Sequence, residues 1–277
     1  MYTQLLAIIG PIVLIAGIGF FWARNVSGFR SDFVRELVFY LGGPCLVISS
    51  LTGSELSAAS LLAMGRNAVI IAALCAMIFA LLIRLQGRDL RVLLPPMVFS
   101  NSGNMGLPLA LFAFGEAALP AAMVLFLVEN TLHFTVGNAM LTGHVNPLKL
   151  IRMPMLLATL AGLLVAMLEI QVPGPVDEAI DLLGQVAIPL MLFALGVRMT
   201  AVDLSDWRIG LAGALLCPLT GLAMAWPAAA FFDLPEMQLA QLIVFAALPP
   251  AVLKSSPRAA GSALRLREPR GSPRPGS

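Results

Sequence analysis

The residues with chemistry to offer are few, and they lie in apolar surroundings. Positions 99 to 108 read Phe-Ser-Asn-Ser-Gly-Asn-Met-Gly-Leu-Pro, which sets Asn101, Ser102, Asn104, Gly106 and Pro108 where an apolar helix would otherwise continue. Glycine and proline free backbone N–H and C=O groups, and unpaired amides are costly in hydrocarbon. This stretch is therefore expected to face protein or a water-filled cavity. A second interruption, Ala-Ala-Leu-Pro-Pro at 246 to 250, carries Pro249 and Pro250. If the two breaks cross near the middle of a membrane, half-helix N-termini turn positive dipole ends toward one point, which favours an anionic group. The plainer alternative is a pair of proline kinks without a site, and Asn101 and Asn104 argue against it.

Glu129, Asn130, His133 and Asn138 are polar within another apolar stretch. Glu129 and His133 are four apart and share a helix face, where they can hydrogen-bond or pass a proton. Two readings stand: a coupling or substrate role, the default for an ionisable residue inside a membrane, or a mutually satisfied pair that orders its helix. Pro44 and Pro189 fall mid-helix and bend or open their helices. Gly17 and Gly162 suit close helix packing. Cys45, Cys75 and Cys217 have neither paired nor ligand spacing, so they read as small packing residues; no metal and no cofactor is expected. His133 and His144 are the two histidines, the second in a loop. No His-Glu-x-x-His, Gly-x-Ser-x-Gly or Walker-type run occurs, which argues against an enzyme and against an ATP-driven pump.

The elements that must position these residues follow from composition. Of 277 residues, 59% are hydrophobic and 12% charged, whereas an ordinary soluble domain carries about a quarter charged residues. The apolar residues form blocks, and about 20 residues at a rise of about 1.5 Å cross a hydrocarbon core of about 30 Å. Nine spans are expected, at about 5–22, 33–51, 61–83, 92–114, 117–141, 155–170, 176–197, 209–232 and 237–253. The first block is too long for a signal-peptide core and has no basic residue before it, so it reads as a span. Ten Lys and Arg, from Arg24 to Arg208, fall in loops after odd-numbered spans, against Arg66 alone on the other side. By the positive-inside bias those loops face the cytoplasm, and the N-terminus lies outside the cell inner (plasma) membrane.

Sliding the chain against itself by 145 residues lays Gly17 on Gly162 and Pro44 on Pro189, and one residue of slip lays Val98-Phe99 on Val244-Phe245. A repeat of five spans is odd-numbered, so its second copy enters the membrane the other way up, as in many secondary transporters. The expected domains are residues 1–142 as the first five-helix repeat, 143–253 as an inverted and incomplete second repeat, and 254–277 as a disordered basic tail. The offset places a tenth span near residue 262, where no apolar block exists. The tenth helix is thus expected to be missing, through a frameshift or sequence error in the last 24 residues, or through a real basic cytoplasmic tail.

The run Asn-Ser-Gly-Asn-Met-Gly-Leu-Pro-Leu at 101 to 109, Ala-Ile-Pro-Leu at 187 to 190 and Ala-Ala-Leu-Pro-Pro at 246 to 250 together resemble the auxin efflux carrier family. Its bacterial members include permeases and malonate and malate transporters, within the bile/arsenite/riboflavin transporter superfamily. The resemblance implies an all-α integral membrane fold of two inverted five-helix repeats, sodium/proton antiporter-like. Helices four and nine would be broken and cross at the substrate site, with Asn101, Ser102, Asn104, Gly106 and Pro108 on the first break and Pro249 and Pro250 on the second. It implies a secondary transporter that moves a small organic anion such as a dicarboxylate by alternating access. The implied partners are that anion and the lipid bilayer, with no nucleic acid, and with a homodimer by analogy. The missing tenth helix leaves a second reading, a non-transporting remnant or sensor of the same fold.

Overall fold

The structure is a computed structural model that describes residues 2–26, 31–54, 56–142, 144, 152–201, 207–231 and 234–250. Its described residues are mostly helical and form no strand of a sheet, as suits surroundings with no water to satisfy an open backbone. The helices are α1 (Tyr2–Asn25), α2a (Ser31–Leu37) and α2b (Gly43–Thr52), α3 (Ala58–Leu85), α4a (Leu90–Val98) and α4b (Leu107–Phe114), α5a (Leu119–Leu132) and α5b (Asn138–Thr142), α6 (Pro154–Met167), α7a (Gly174–Gln185) and α7b (Ala187–Met199), α8 (Trp207–Ala229) and α9 (Glu236–Ala246). Six helical stretches are long and apolar enough to cross a membrane: Tyr2–Asn25, Asp32–Thr52, Ala59–Leu85, Glu116–Met140, Gly174–Met199 and Gly210–Pro227. Three shorter apolar helices, Ser102–Phe114, Pro154–Met167 and Glu236–Ala246, complete the set of nine expected spans. The chain is an all-α integral membrane protein. The expected tail, and the place of a tenth span, lie outside the described residues.

The outer faces carry large exposed apolar side chains such as Leu14, Leu62, Leu85, Leu164 and Trp226, a surface that suits lipid. The interior is built by Leu46 and Val47 of α2b, Met64 and Phe79 of α3, Leu107 of α4b, Met123 and Leu125 of α5a, Leu192 of α7b and Leu242 of α9.

Prolines divide the helices where the sequence places them. Proline lacks an N–H and its ring displaces the carbonyl four residues earlier. A π turn over Val38–Gly42 absorbs that displacement just before Pro44, which sits in the first turn of α2b. Pro189 likewise sits in the first turn of α7b, after an interruption at Val186. The two breaks touch, since a Cβ on Gly42 would meet the Cβ of Ala187 at 3.3 Å.

Elsewhere small residues bring backbones together. A Cβ on Gly196 of α7b would lie 1.8 Å from the backbone oxygen of Ala16, and one on Gly19 of α1 would lie 2.2 Å from that of Phe193. These positions, not Gly17, seat α1 against α7b; Gly17 faces open space, with nothing within 4 Å of an added Cβ. Gly162 does pack closely, 3.3 Å from Leu51.

Candidate functional site

The first break begins where α4a stops. Phe99 still gives its N–H to Pro95 O at 3.0 Å, but its own backbone is extended, and the chain leaves the helix there. Ser100 forms an antiparallel bridge with Pro250, and the Asn101 N–H donates to Pro249 O at 2.9 Å. Pro249 and Pro250 have no N–H to offer, so this second break can only accept, and the first break supplies the donor. The helix resumes through a π turn, Ser102–Gly106, in which the N–H groups of Met105 and Gly106 converge on Asn101 O at 3.0 and 3.2 Å. Pro108 follows directly after the π turn, whose extra residue absorbs the displacement that the proline ring imposes on the preceding turn. Phe245 and Leu248 fill the place of a side chain at Gly106, where an added Cβ would lie 2.8 and 2.9 Å from them.

The Ser100 N–H, released by the break, is accepted by Glu129 Oε1 on α5a. Asn104 Nδ2 donates to Asn101 Oδ1 at 3.1 Å. Past Glu129, α5a passes into a second π turn, His133–Gly137, and the His133 ring packs with its centroid 5.0 Å from that of Phe99. A cavity of about 150 Å³ opens among Ser100, Asn101, Ser102, Gly103, Asn104, Phe126, Glu129, Asn130, His133 and Phe134. The first N–H groups of the segment that starts at Ser102 have no acceptor within their own helix, and they carry its positive dipole end into this space. The cavity thus offers backbone and amide donors, one carboxylate and one imidazole.

The structure brings Asn101, Ser102, Asn104, Glu129, Asn130 and His133 to this one wall. Gly106, Pro249 and Pro250 lie behind it as the join between the breaks, Pro108 is buried in the first turn of α4b, and Pro44 and Pro189 belong to the separate meeting of α2 and α7. Glu129 and His133 share the expected face, but the carboxylate turns to Ser100 and Ser102, while the imidazole packs between Phe99 and Phe134.

Sequence reasoning passed over three amides. Gln238 on α9 exchanges hydrogen bonds with the Ser60 hydroxyl of α3 at 2.9 and 3.0 Å. Both amide atoms of Gln241, and Nδ2 of Asn67, are buried without a partner among the described residues. The signal was present, since each is a polar residue in an apolar helix. A larger cavity of about 630 Å³ lies elsewhere, between α2b, α6 and α7a. Glu169, Asp177, Glu178 and Asp181 line it and no cation does, so it repels an anion despite its size.

Apolar helical stretches, two of which end in breaks joined backbone to backbone beside a polar cavity, define an integral membrane protein with a candidate binding site at that join. Residues 138–255 match the family described as "Membrane transport protein", a stretch that runs from α5b to the second break. A protein of Rhizobium meliloti (strain 1021) described as "Putative malonate transporter" is 40% identical over 114 residues, which cover 36% of this chain and 35% of that relative. The resemblance to the auxin efflux carrier family and its malonate-type permeases stands on these findings.

Proposed function

We propose that this chain is a secondary carrier for a small organic anion, a dicarboxylate of malonate's kind, working by alternating access around the two joined breaks. The observation that carries the reading is the Asn101 N–H bond to Pro249 O at 2.9 Å, beside a cavity of about 150 Å³ lined by Ser102, Asn104 and Asn130. Two discontinuous helices meeting at a polar space inside the bundle are the pattern by which secondary transporters hold a substrate. The half-helix that starts at Ser102 gives an anion N–H donors and a favourable dipole. The description of the Rhizobium relative supplies the chemical class. In this reading residues 1–142 and 143–253 are inverted repeats, the N-terminus lies outside the plasma membrane, and one bundle moves against the other.

Uptake of labelled malonate and malate into proteoliposomes tests the reading. Flux above that of empty vesicles is expected, and Asn104→Ala is expected to lower it about tenfold at low substrate, the worth of roughly one charge-assisted hydrogen bond. Flux equal to empty vesicles for both anions sinks the carrier reading and leaves a remnant or sensor of the same fold.

A further inference from the structure

We propose that the coupling ion of this carrier is a proton and that Glu129 holds it, an inference that rests on the carrier reading above. Glu129 is the carboxylate in the wall of the polar cavity, and it accepts the Ser100 N–H. The next residue, Asn101, gives its N–H to Pro249 of the other break at 2.9 Å. One peptide unit therefore separates the proton site from the join.

An ionised carboxylate and an anionic substrate brought into one cavity of about 150 Å³ repel each other at close range. A proton taken from water onto Glu129 forms one O–H bond and removes that repulsion, so anion and proton occupy the cavity together. The neutral acid needs an acceptor for its new O–H, and the Ser100 and Ser102 hydroxyls, which lie against the carboxylate in the same wall, can each turn an oxygen lone pair to it. When the anion leaves, the acid returns the proton to water and the Ser100 N–H regains a charged acceptor, the stronger of the two. Protonation thus weakens the hold on Ser100 when the substrate is present, and loss of the proton restores it when the site is empty.

The titratable side chains that face Glu129 are His133, one turn along, and Cys75 on α3. The parts of α2b, α4b, the Ser102–Gly106 turn and α9 that pack on α5a bring no charged side chain to it. Glu116 and Glu236 stand at the far ends of their elements, and Arg66 and Arg84 on α3 are exposed. Among the described residues no Lys or Arg offsets the Glu129 charge, so an ion taken up from water must do so when the anion is bound.

The test uses the full chain in proteoliposomes that enclose a pH dye, with the membrane potential clamped at zero and labelled malonate outside. One proton per anion supports about tenfold accumulation for each pH unit of acid-outside gradient, with internal acidification that follows malonate entry. Glu129→Gln, which is uncharged at every pH, is expected to exchange malonate across the membrane while losing both accumulation and acidification. Accumulation that follows a sodium gradient or the potential and ignores pH overturns the proposal, as does Glu129→Gln accumulating like the unaltered chain. If Glu129→Gln fails to fold or exchange, the unaltered chain decides alone: malonate entry without acidification overturns the assignment. Absence of malonate exchange in the unaltered chain removes the carrier reading and the proton with it, whereas exchange without proton movement removes the proton only.

Discussion

At Gly106 the two breaks press together so closely that an added Cβ meets Phe245 and Leu248 at 2.8 and 2.9 Å. Both neighbours are side-chain atoms that can yield, so Gly106→Ala strains the join without destroying it. A loss of about 1–3 kcal/mol is expected, seen as a lower melting temperature in detergent together with reduced malonate uptake. Gln241 makes the opposite case, with both amide atoms buried and unpaired. Each such group stands to cost about 1–3 kcal/mol, so Gln241→Leu is expected to raise the melting temperature; an unchanged or lower value would mean that the amide is satisfied after all. The Asn101 to Pro108 run was legible in the sequence because proline kinks alone do not account for amides such as Asn101 and Asn104 in an apolar block. The partner of Glu129 was not: helical spacing pointed to His133, whereas Ser100 lies 29 positions away in sequence and reaches the carboxylate only once α4 has broken.

Among the elements, α1 and α7b meet through backbone, with a Cβ on Gly196 placed 1.8 Å from Ala16 O. No rotamer relieves a clash with backbone, so Gly196→Ala must push the helices apart. It is expected to destabilise by more than about 2 kcal/mol, whereas Gly17→Ala, facing open space, is expected to change the melting temperature little or raise it. A drop at Gly17 equal to that at Gly196 would show that the packing is assigned to the wrong face. The sequence marked small residues for close packing but gave no helical phase, and the phase selects Gly19 and Gly196. The three π turns before Pro44, Pro108 and Asn138 were not legible either, because an extra residue in a helical turn leaves no hydrophobic signature. Pro44 and Pro189 were legible as breaks, since loss of an N–H is intrinsic to the residue.

Across the whole molecule, the nine apolar blocks of the sequence correspond to the nine apolar helical stretches of the structure, because hydrocarbon permits no other backbone solution. That the two breaks meet was expected from their matching places in the repeat; which backbone atoms join them was not, because the partners lie about 150 positions apart. The acidic cavity between α2b, α6 and α7a is a charge feature of this scale. Neutralising it with Asp177→Asn and Glu178→Gln is expected to speed anion entry several-fold at low ionic strength, with the gain disappearing near physiological salt, where the Debye length is about 8 Å. Equal rates at both salt concentrations would place the cavity off the anion's route. The join itself, Asn101 N–H to Pro249 C=O, is made of main-chain atoms alone. Every residue except proline supplies that donor, so an alanine scan passes over it in silence and Asn101→Pro is the substitution that cuts it. A lineage that keeps this main-chain join can exchange the cavity walls at Ser102, Asn104, Asn130 and His133 without losing it.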